Sequence, residues 1–134
     1  MQRLFLDANV LFSAAYKPDA RILHLWRLKD CLLCTSRYAA EEARINLMEG
    51  VQQQRLTNLL EKLRFFDVSA RNLPREISLP EKDVPILLAA IEARAHYLLT
   101  GDLRHFGAYF GKKVEGVTIL SPTQYFKLKE REQK

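Results

Sequence analysis

Short apolar runs alternate along the chain with longer segments in which apolar residues recur every three or four positions. Runs of the first kind predict buried strands, and segments of the second kind predict amphipathic helices. We predict five strands, at residues 3–6, 31–34, 65–68, 97–100 and 117–120. Helices between successive strands require right-handed crossovers, so the pattern predicts a three-layer α/β/α sandwich around a parallel sheet.

Start and stop signals predict where the connecting helices lie. Asn9 is the expected N-cap of a helix after the first strand, Ser36 is expected to cap a later helix, and Gly50 is expected to close it. Helical spacing covers residues 18–30, 37–50, 51–65, 83–95 and the segment from 121 onward. Residues 70–82 contain two prolines and few apolar side chains, which predicts a long loop.

The composition is that of an ordinary globular protein. Of 134 residues, 48% are hydrophobic and 28% are charged, close to the averages for soluble domains. A chain of this length can form a core without disulfides or a structural metal, so we expect one domain over residues 1–134. No apolar run approaches the roughly 20 residues of a membrane helix, and the charged start is unlike a secretory signal. We therefore expect a cytoplasmic protein with no membrane partner.

The chain is basic. Its 21 Lys and Arg residues outnumber 16 Asp and Glu residues, which gives a net charge of +5 and a pI of about 9.4. Such a charge favours encounters with polyanions such as nucleic acids but does not determine which nucleotide sequence is bound.

The two cysteines, Cys31 and Cys34, have the spacing of a redox pair or of half a zinc site. They fall within the second predicted strand, where residues three apart point to opposite faces of the sheet. The sequence offers no second Cys/His pair that would complete a tetrahedral zinc site. We therefore expect neither a disulfide nor bound zinc.

Three aspartates are expected at one edge of the predicted sheet. Asp7 follows the first strand, Asp102 follows the fourth strand, and Asp83 begins the helix that leads into the fourth strand. The carboxyl ends of parallel strands share an edge, and ligands bind there near the point where the strand order reverses. The three carboxylates should therefore converge.

The fourth candidate acid belongs to the helix after the second strand. Glu41 lies on the same stripe as Arg37 and Arg44, either of which could pair with it on a solvated face. Glu42 shares a side with Tyr38 and lies in the second turn, from which it can lean toward the strand ends. We therefore choose Glu42.

Each of these acids also has a structural interpretation. Asp7 and Asp83 could cap helices, Asp102 could end a strand in a turn, and Glu42 could be an ordinary surface acid. A cluster of all four acids, however, is electrostatically unfavourable, because carboxylates about 5 Å apart repel by roughly 3 kcal/mol per pair at an effective dielectric of about 20. Without a basic partner the cluster needs a cation, and oxygen ligands favour one or two Mg²⁺ or Mn²⁺ ions.

Such a site can hydrolyse a phosphodiester without a nucleophilic side chain. A bound divalent ion polarises the phosphate, lowers the pKa of a bound water and stabilises the attacking and leaving oxygens. The sequence contains neither a Gly-x-Ser-x-Gly elbow nor a Walker loop. Asn9 and Thr100 could orient an acid or hold a water molecule, although both residue types are common structural choices at a helix start and a strand end.

Four segments resemble the PIN-domain family of metal-dependent nucleases, which includes the VapC-type toxins of bacterial and archaeal toxin–antitoxin pairs. Residues 4–14 resemble the family's apolar strand followed by Asp and, two positions later, Asn. Residues 35–47 resemble its Ser with Glu six positions on, and residues 82–106 resemble its Asp, alanine-rich helix, short strand and Thr-Gly-Asp. Residues 117–126 resemble its last strand, proline and aromatic helix.

The resemblance spans nearly the whole chain and carries several expectations. It implies a Mg²⁺ or Mn²⁺ site at the four acids Asp7, Glu42, Asp83 and Asp102, cleavage of single-stranded RNA, and a homodimer. For a toxin it also implies an antitoxin protein that inserts a segment into the cleft. Many members carry another acid shortly after Thr-Gly-Asp, whereas Leu103, Arg104 and His105 stand here, so a second metal position would lack one acid.

An acidic pocket needs a basic rim to retain an anionic substrate. The candidates are Arg104, Lys112 and Lys113 after the fourth strand and Arg71, Arg75 and Lys82 in the long loop, although any of them could be simply solubilising. His105 is a candidate phosphate contact or a plain surface histidine. Phe106, Tyr109 and Phe110 could stack on bases, or their spacing could form an apolar stripe against the sheet or a second subunit.

Two other function classes compete with an endoribonuclease. A catalytically silent nucleic-acid-binding or scaffold protein would keep the fold, but the intact set of four acids argues against it. A receiver-like signalling domain also gathers acids and Mg²⁺ at the carboxyl edge of a parallel sheet. It would need a Lys after the last strand, where this chain has Ser121 and Pro122.

Overall fold

The computed structural model describes residues 1–67 and 71–132. The strands are β1 Gln2–Leu6, β2 Cys31–Thr35, β3 Arg64–Phe65, β4 Tyr97–Leu99, β5 Lys113–Val114 and β6 Val117–Leu120. The α-helices are α1 Ala8–Tyr16, α2 Arg37–Asn46, α3 Gly50–Leu60, α4 Val84–Glu92, α5 Leu103–Phe106 and α6 Pro122–Glu132. Two 3₁₀ helices span Arg21–Arg27 and Gly107–Tyr109.

The strands form one sheet in the order β3-β2-β1-β4-β6-β5. Neighbouring strands are parallel except for β5, which runs antiparallel to β6. The predicted α/β class with a mainly parallel sheet is confirmed. The chain proceeds from β1 outward to β2 and β3, and then returns to the other side of β1 with β4. The strand order therefore reverses between β1 and β4, and a ligand site is expected at their carboxyl ends.

The two strands at this reversal form the centre of the core. In β1 the side chains of Leu4, Phe5 and Leu6 are fully buried, and Leu98 and Leu99 of β4 are buried beside them. In the register of the sheet, Phe5 lies between Cys34 of β2 and Leu98. Strands buried on both faces read as continuous apolar runs, which explains why β1 and β4 could be found in the sequence.

The antiparallel strand β5 was not predicted from the sequence. Two residues, Glu115 and Gly116, connect it to β6, and both have positive φ, at 46° and 89°. A two-residue hairpin turn requires this conformation, which glycine adopts without strain. The strand itself is only Lys113–Val114, too short to produce an alternating pattern.

Several predicted boundaries were wrong. Asp7, and not Asn9, is the N-cap of α1, because its carboxylate accepts the Ala8 N–H at 2.6 Å. Gly50 does not close α2, which ends four residues earlier at Asn46. Instead Gly50 begins α3, where Glu49 and Gln52 form a capping box.

Two other helices are shorter or tighter than predicted, and one strand prediction extends beyond the described residues. The predicted helix at 18–30 is a 3₁₀ helix over Arg21–Arg27, and α3 ends at Leu60 rather than at residue 65. The third predicted strand, 65–68, is wrong in extent: β3 is only Arg64–Phe65, and Phe66 and Asp67 lie beyond its end. The predicted end at Val68 lies outside the described residues.

Both cysteines are free thiols, as expected. Cys34 is buried in β2, and this burial raises the pKa of its thiol to about 11. Cys31 lies 3.3 Å from the hydroxyl of Tyr125, which is buried in α6 and donates to Gln2 Oε1 at 2.7 Å. In the described parts of the chain, no helix is both long enough and apolar enough to cross a lipid bilayer.

Candidate metal centre

The four acids predicted from the sequence line one pocket of about 530 Å³. Asp7 follows β1, Asp102 lies just beyond β4, Asp83 precedes α4, and Glu42 projects from the second turn of α2. The pocket lies at the carboxyl edge of the sheet where the strand order reverses. Parallel topology therefore brings together four carboxylates, although Asp7 and Asp102 are 95 positions apart in the sequence.

Asp7 is the most buried of the four acids, with 3% of its surface exposed. Burial raises its pKa to about 6, and the charges of Asp83 and Glu42 contribute to this increase, while hydrogen bonds from Thr100 and Ala8 oppose it. The Asp7 carboxylate therefore has local hydrogen bonds but not enough positive charge to offset its burial.

Asn9 and Thr100 hold the Asp7 carboxylate in place. The Thr100 hydroxyl donates to Asp7 Oδ2 at 2.8 Å, and Asn9 Nδ2 donates to the same oxygen at 3.2 Å. Asn9 also accepts the Gly101 N–H at 2.7 Å, and the Thr100 hydroxyl accepts the Asp102 N–H at 3.1 Å. This network connects the start of α1 to the turn after β4, so two of the acids are fixed relative to each other.

The structure distinguishes between the two adjacent glutamates. Glu41 is exposed and pairs with Arg44 at 2.6 Å, whereas Glu42 lines the pocket. Burial, followed by the charges of Glu42, Asp83 and Asp7, raises the pKa of the nearby Tyr38 hydroxyl. The negative charges of three of the four acids therefore all affect the Tyr38 hydroxyl on α2.

Asp83 and Asp102 converge on His105. Its Nδ1 atom lies 2.7 Å from Asp83 Oδ2 and 2.9 Å from Asp102 Oδ2. Asp83 is 7% exposed, and it makes no capping hydrogen bond although it occupies the N-cap position of α4. Burial raises the Asp83 pKa, partly opposed by the charge of His105. The three side chains form a group in which each offers one ligand atom within 4.8 Å of the others.

His105 was predicted to be a phosphate contact or a plain surface residue. The structure instead places it between two pocket acids, with 21% of its side chain exposed. Its backbone N–H also donates to Asp102 Oδ1 at 3.1 Å. The spacing of three residues from Asp102 was a signal, but only if the segment after the turn was known to be helical.

Only one residue of the predicted basic rim lies at the pocket. Lys82 lines the pocket, whereas Arg104, Lys112 and Lys113 are exposed and do not line it. The expectation that both lysines follow β4 at the carboxyl edge is wrong for Lys113. Because β5 is antiparallel, Lys113 pairs with Thr118, which lies level with Tyr97 at the start of β4.

Two loop arginines are also distant from the role predicted for them. Arg71 forms an ion pair with Glu115 at 2.8 Å, in the turn before β6. Arg75 is exposed and does not line the pocket.

The aromatic residues after β4 are packed inward. Phe106 is fully buried in the core, which excludes the alternative that it stacks on bases. Tyr109 and Phe110 pack against the same core, as expected for the other alternative, an apolar stripe against the sheet. The Tyr109 hydroxyl accepts the Ser78 N–H at 2.8 Å and donates to the Ser78 carbonyl at 3.1 Å. The aromatic stripe therefore fastens the long loop to the sheet.

The donor set fits a hard divalent cation. Among residues 1–67 and 71–132, no lysine or arginine forms an ion pair with any of the four acids. Asp83 Oδ2 is buried and has no hydrogen-bond partner. Asp83, Asp102 and His105 offer ligand atoms within 4.8 Å of one another, and Asp7 and Glu42 line the same pocket outside that group. Carboxylate oxygens in such a pocket are typical ligands of Mg²⁺ and Mn²⁺.

A family model described as the PIN domain matches residues 3–104. The chain belongs to the PIN-domain family, whose members are generally nucleases. A search of curated proteins gave no match.

Several solved structures share the fold of this chain. VapBC2 from Rickettsia felis, bound to a DNA fragment from their promoter, has a TM-score of 0.68 at 18% identity and covers 90% of this chain and 98% of that chain. FitAcB from Neisseria gonorrhoeae has a TM-score of 0.53 at 21% identity, with the same coverage. FitAB bound to the IR36 DNA fragment has a TM-score of 0.52 at 19% identity and covers 89% and 94%.

Proposed function

We propose that this chain is a divalent-metal-dependent endoribonuclease that hydrolyses single-stranded RNA at the pocket lined by Asp7, Glu42, Asp83 and Asp102. The observation that carries the proposal is the convergence of these four acids without an ion pair to lysine or arginine in the part of the chain that the structure describes. The burial and raised pKa of Asp7 support it.

The ionised carboxylates of the four acids would hold one or two Mg²⁺ or Mn²⁺ ions. When bound, such an ion activates water and stabilises negative charge on a phosphodiester. Asn9 and Thr100 keep Asp7 in position through its Oδ2 atom. Lys82, on the pocket wall, would attract the phosphate backbone of the substrate. Arg104, His105, Lys112 and Lys113 were the other substrate candidates, and the geometry favours Lys82 over them.

Two kinds of partner are part of this proposal. The resemblance to VapC-type toxins and the structural similarity to VapBC2 support an antitoxin protein that covers the pocket. The same resemblance supports a homodimer, which light scattering of the purified chain would detect. We propose a cytoplasmic location because RNA and such an antitoxin are found there.

The test is cleavage of a labelled single-stranded RNA by the purified protein with Mn²⁺ or Mg²⁺, with single-stranded DNA as the comparison substrate. The Asp7→Asn and Asp102→Asn variants should lose at least about 100-fold of the activity, because each removes a charged ligand worth a few kcal/mol in the transition state. Added EDTA should abolish cleavage by the unaltered protein.

The adjacent glutamates provide a matched control. Glu42→Gln should lose activity to a similar extent, whereas Glu41→Gln changes only an exposed pair with Arg44 and should retain it. Circular dichroism checks that each variant is folded. Cleavage retained by folded Asp7→Asn protein would contradict the proposal. Metal binding without cleavage by the unaltered protein would instead support a silent nucleic-acid-binding protein.

A further inference from the structure

The Nδ1 atom of His105 faces two carboxylates of the pocket. Its distances to Asp83 Oδ2 and Asp102 Oδ2 are 2.7 and 2.9 Å. Both Nδ1 and Asp83 Oδ2 are buried, and neither has a hydrogen-bond partner. The arrangement brings three potential ligand atoms together, but it does not satisfy them by hydrogen bonding.

The distances fit ligands that share one ion. In an octahedral shell with bonds of about 2.1 Å, two adjacent ligand atoms lie about 3 Å apart, each roughly 45° off the other's bond to the metal. The two contacts of His105, at 2.7 and 2.9 Å, are close to this separation. Asp83 Oδ2 and Asp102 Oδ2 also lie within 4.8 Å of each other, so one ion could contact all three atoms.

The local backbone holds His105 in this position. Asp102 caps the four-residue helix α5, and its Oδ1 atom accepts the His105 N–H at 3.1 Å. Its other oxygen, Oδ2, then lies beside the imidazole of the same residue. One backbone hydrogen bond therefore holds the Asp102 carboxylate beside the ring.

We infer that His105 is a nitrogen ligand of the divalent ion, together with Asp83 and Asp102, and that it makes the site prefer Mn²⁺ over Mg²⁺. This inference rests on the proposed function. Mg²⁺ favours oxygen ligands and retains its water shell, whereas imidazole binds first-row transition metals more readily.

The test measures metal binding directly. Calorimetry with Mn²⁺ and Mg²⁺ alone gives both affinities for the unaltered chain and for His105→Ala. Removal of the imidazole should weaken Mn²⁺ binding by about 10- to 100-fold, a range typical for loss of metal-site contacts, and should change Mg²⁺ binding by less than about threefold. His105→Asp should improve Mg²⁺ binding relative to His105→Ala, since it supplies an oxygen ligand.

Pulsed electron paramagnetic resonance of the Mn²⁺-loaded protein supplies a readout independent of activity. The unaltered chain should show coupling to a directly bound ¹⁴N nucleus, and His105→Ala should not. His24→Ala is the matched control, because His24 is exposed on the first 3₁₀ helix. His105→Gln keeps a polar side chain of similar reach and serves if the alanine variant does not fold.

The outcomes separate this inference from the proposed function. If the unaltered chain binds neither ion, or if Asp7→Asn leaves cleavage intact, the proposed function fails. If Mn²⁺ binds and RNA is cleaved but no nitrogen coupling is seen, only the role of His105 is overturned. Equal weakening of Mn²⁺ and Mg²⁺ binding in His105→Ala without coupling would show that His105 only positions the two carboxylates.

Discussion

The Thr100 hydroxyl donates a 2.8 Å hydrogen bond to Asp7 Oδ2 across the point where the strand order reverses. The same hydroxyl oxygen accepts the Asp102 N–H at 3.1 Å. One fully buried side chain therefore contacts both acids that follow the central strands. A threonine can do this because its hydroxyl donates and accepts at the same time.

Thr100→Val should weaken metal binding while preserving the shape of the core. The substitution removes a hydrogen bond that lowers the Asp7 pKa, so the carboxylate becomes harder to ionise and less well oriented. We expect about tenfold weaker binding of Mn²⁺ by calorimetry. Stability should fall by about 1–3 kcal/mol, because the Asp102 N–H also loses its acceptor.

Thr35→Val is the matched control for this prediction. Thr35 is equally buried at the end of β2, but its hydroxyl donates to the Leu6 carbonyl at 2.9 Å and not to an acid. It should lose stability to a similar extent with no change in metal affinity. If both variants bind Mn²⁺ equally well, the Thr100 hydroxyl does not support the metal site.

The raised pKa of Asp7 should make the metal-free protein more stable at acidic pH. An aspartate is ordinarily half-protonated near 3.8, and in the folded chain this midpoint moves to about 6. Between these values the folded state binds more protons than the unfolded state, so stability is greatest below about pH 4 and falls as the pH rises through 6. The full difference is about 3 kcal/mol, since each pKa unit corresponds to about 1.4 kcal/mol.

Denaturant unfolding in EDTA from pH 4 to pH 8 checks this effect of Asp7. The difference in free energy of unfolding between Asp7→Asn and the unaltered chain should change by about 2 kcal/mol over that range, in favour of the variant at high pH, because at pH 4 the unfolded aspartate is already partly ionised. Excess Mn²⁺ should remove this advantage by stabilising only the unaltered chain. A difference in free energy of unfolding that does not vary with pH would mean that burial does not raise the pKa of Asp7.

The sequence was sufficient to place the acids because topology determines their positions. Asp7 follows β1 and Asp102 follows β4, so both had to lie at the carboxyl edge once the two strands were expected to be parallel. Glu42 could be distinguished from Glu41 because helical periodicity places Glu41, and not Glu42, on the stripe that contains the arginines. These inferences use only the strand direction and the helix period.

Local features that depend on one or two residues could not be predicted. Asp7 and Asn9 are both good N-caps, and only the structure shows which carboxylate or amide accepts the backbone N–H. The hairpin at Glu115 and Gly116 reverses the chain before β6, which moved Lys113 away from the expected edge. The contact of His105 with Asp83 and Asp102 was not foreseen, because it depends on the four-residue helix α5, which has no periodic pattern.

Lys82 should be the basic residue on which substrate binding depends most. It is exposed at the pocket wall, and the Tyr38 hydroxyl donates to its carbonyl at 2.7 Å, which fixes the loop at that point. We expect Lys82→Met to raise the KM for single-stranded RNA by about 3- to 10-fold and to reduce the slope of log affinity against log salt by about 0.7.

Lys113→Met, which removes the same charge at an outer strand away from the pocket, should change neither value. Filter binding over 50 to 300 mM salt, with metal omitted to prevent cleavage, would measure both slopes. An equal loss of affinity in the two variants would show that the RNA path crosses β5, and that the basic rim extends beyond the pocket.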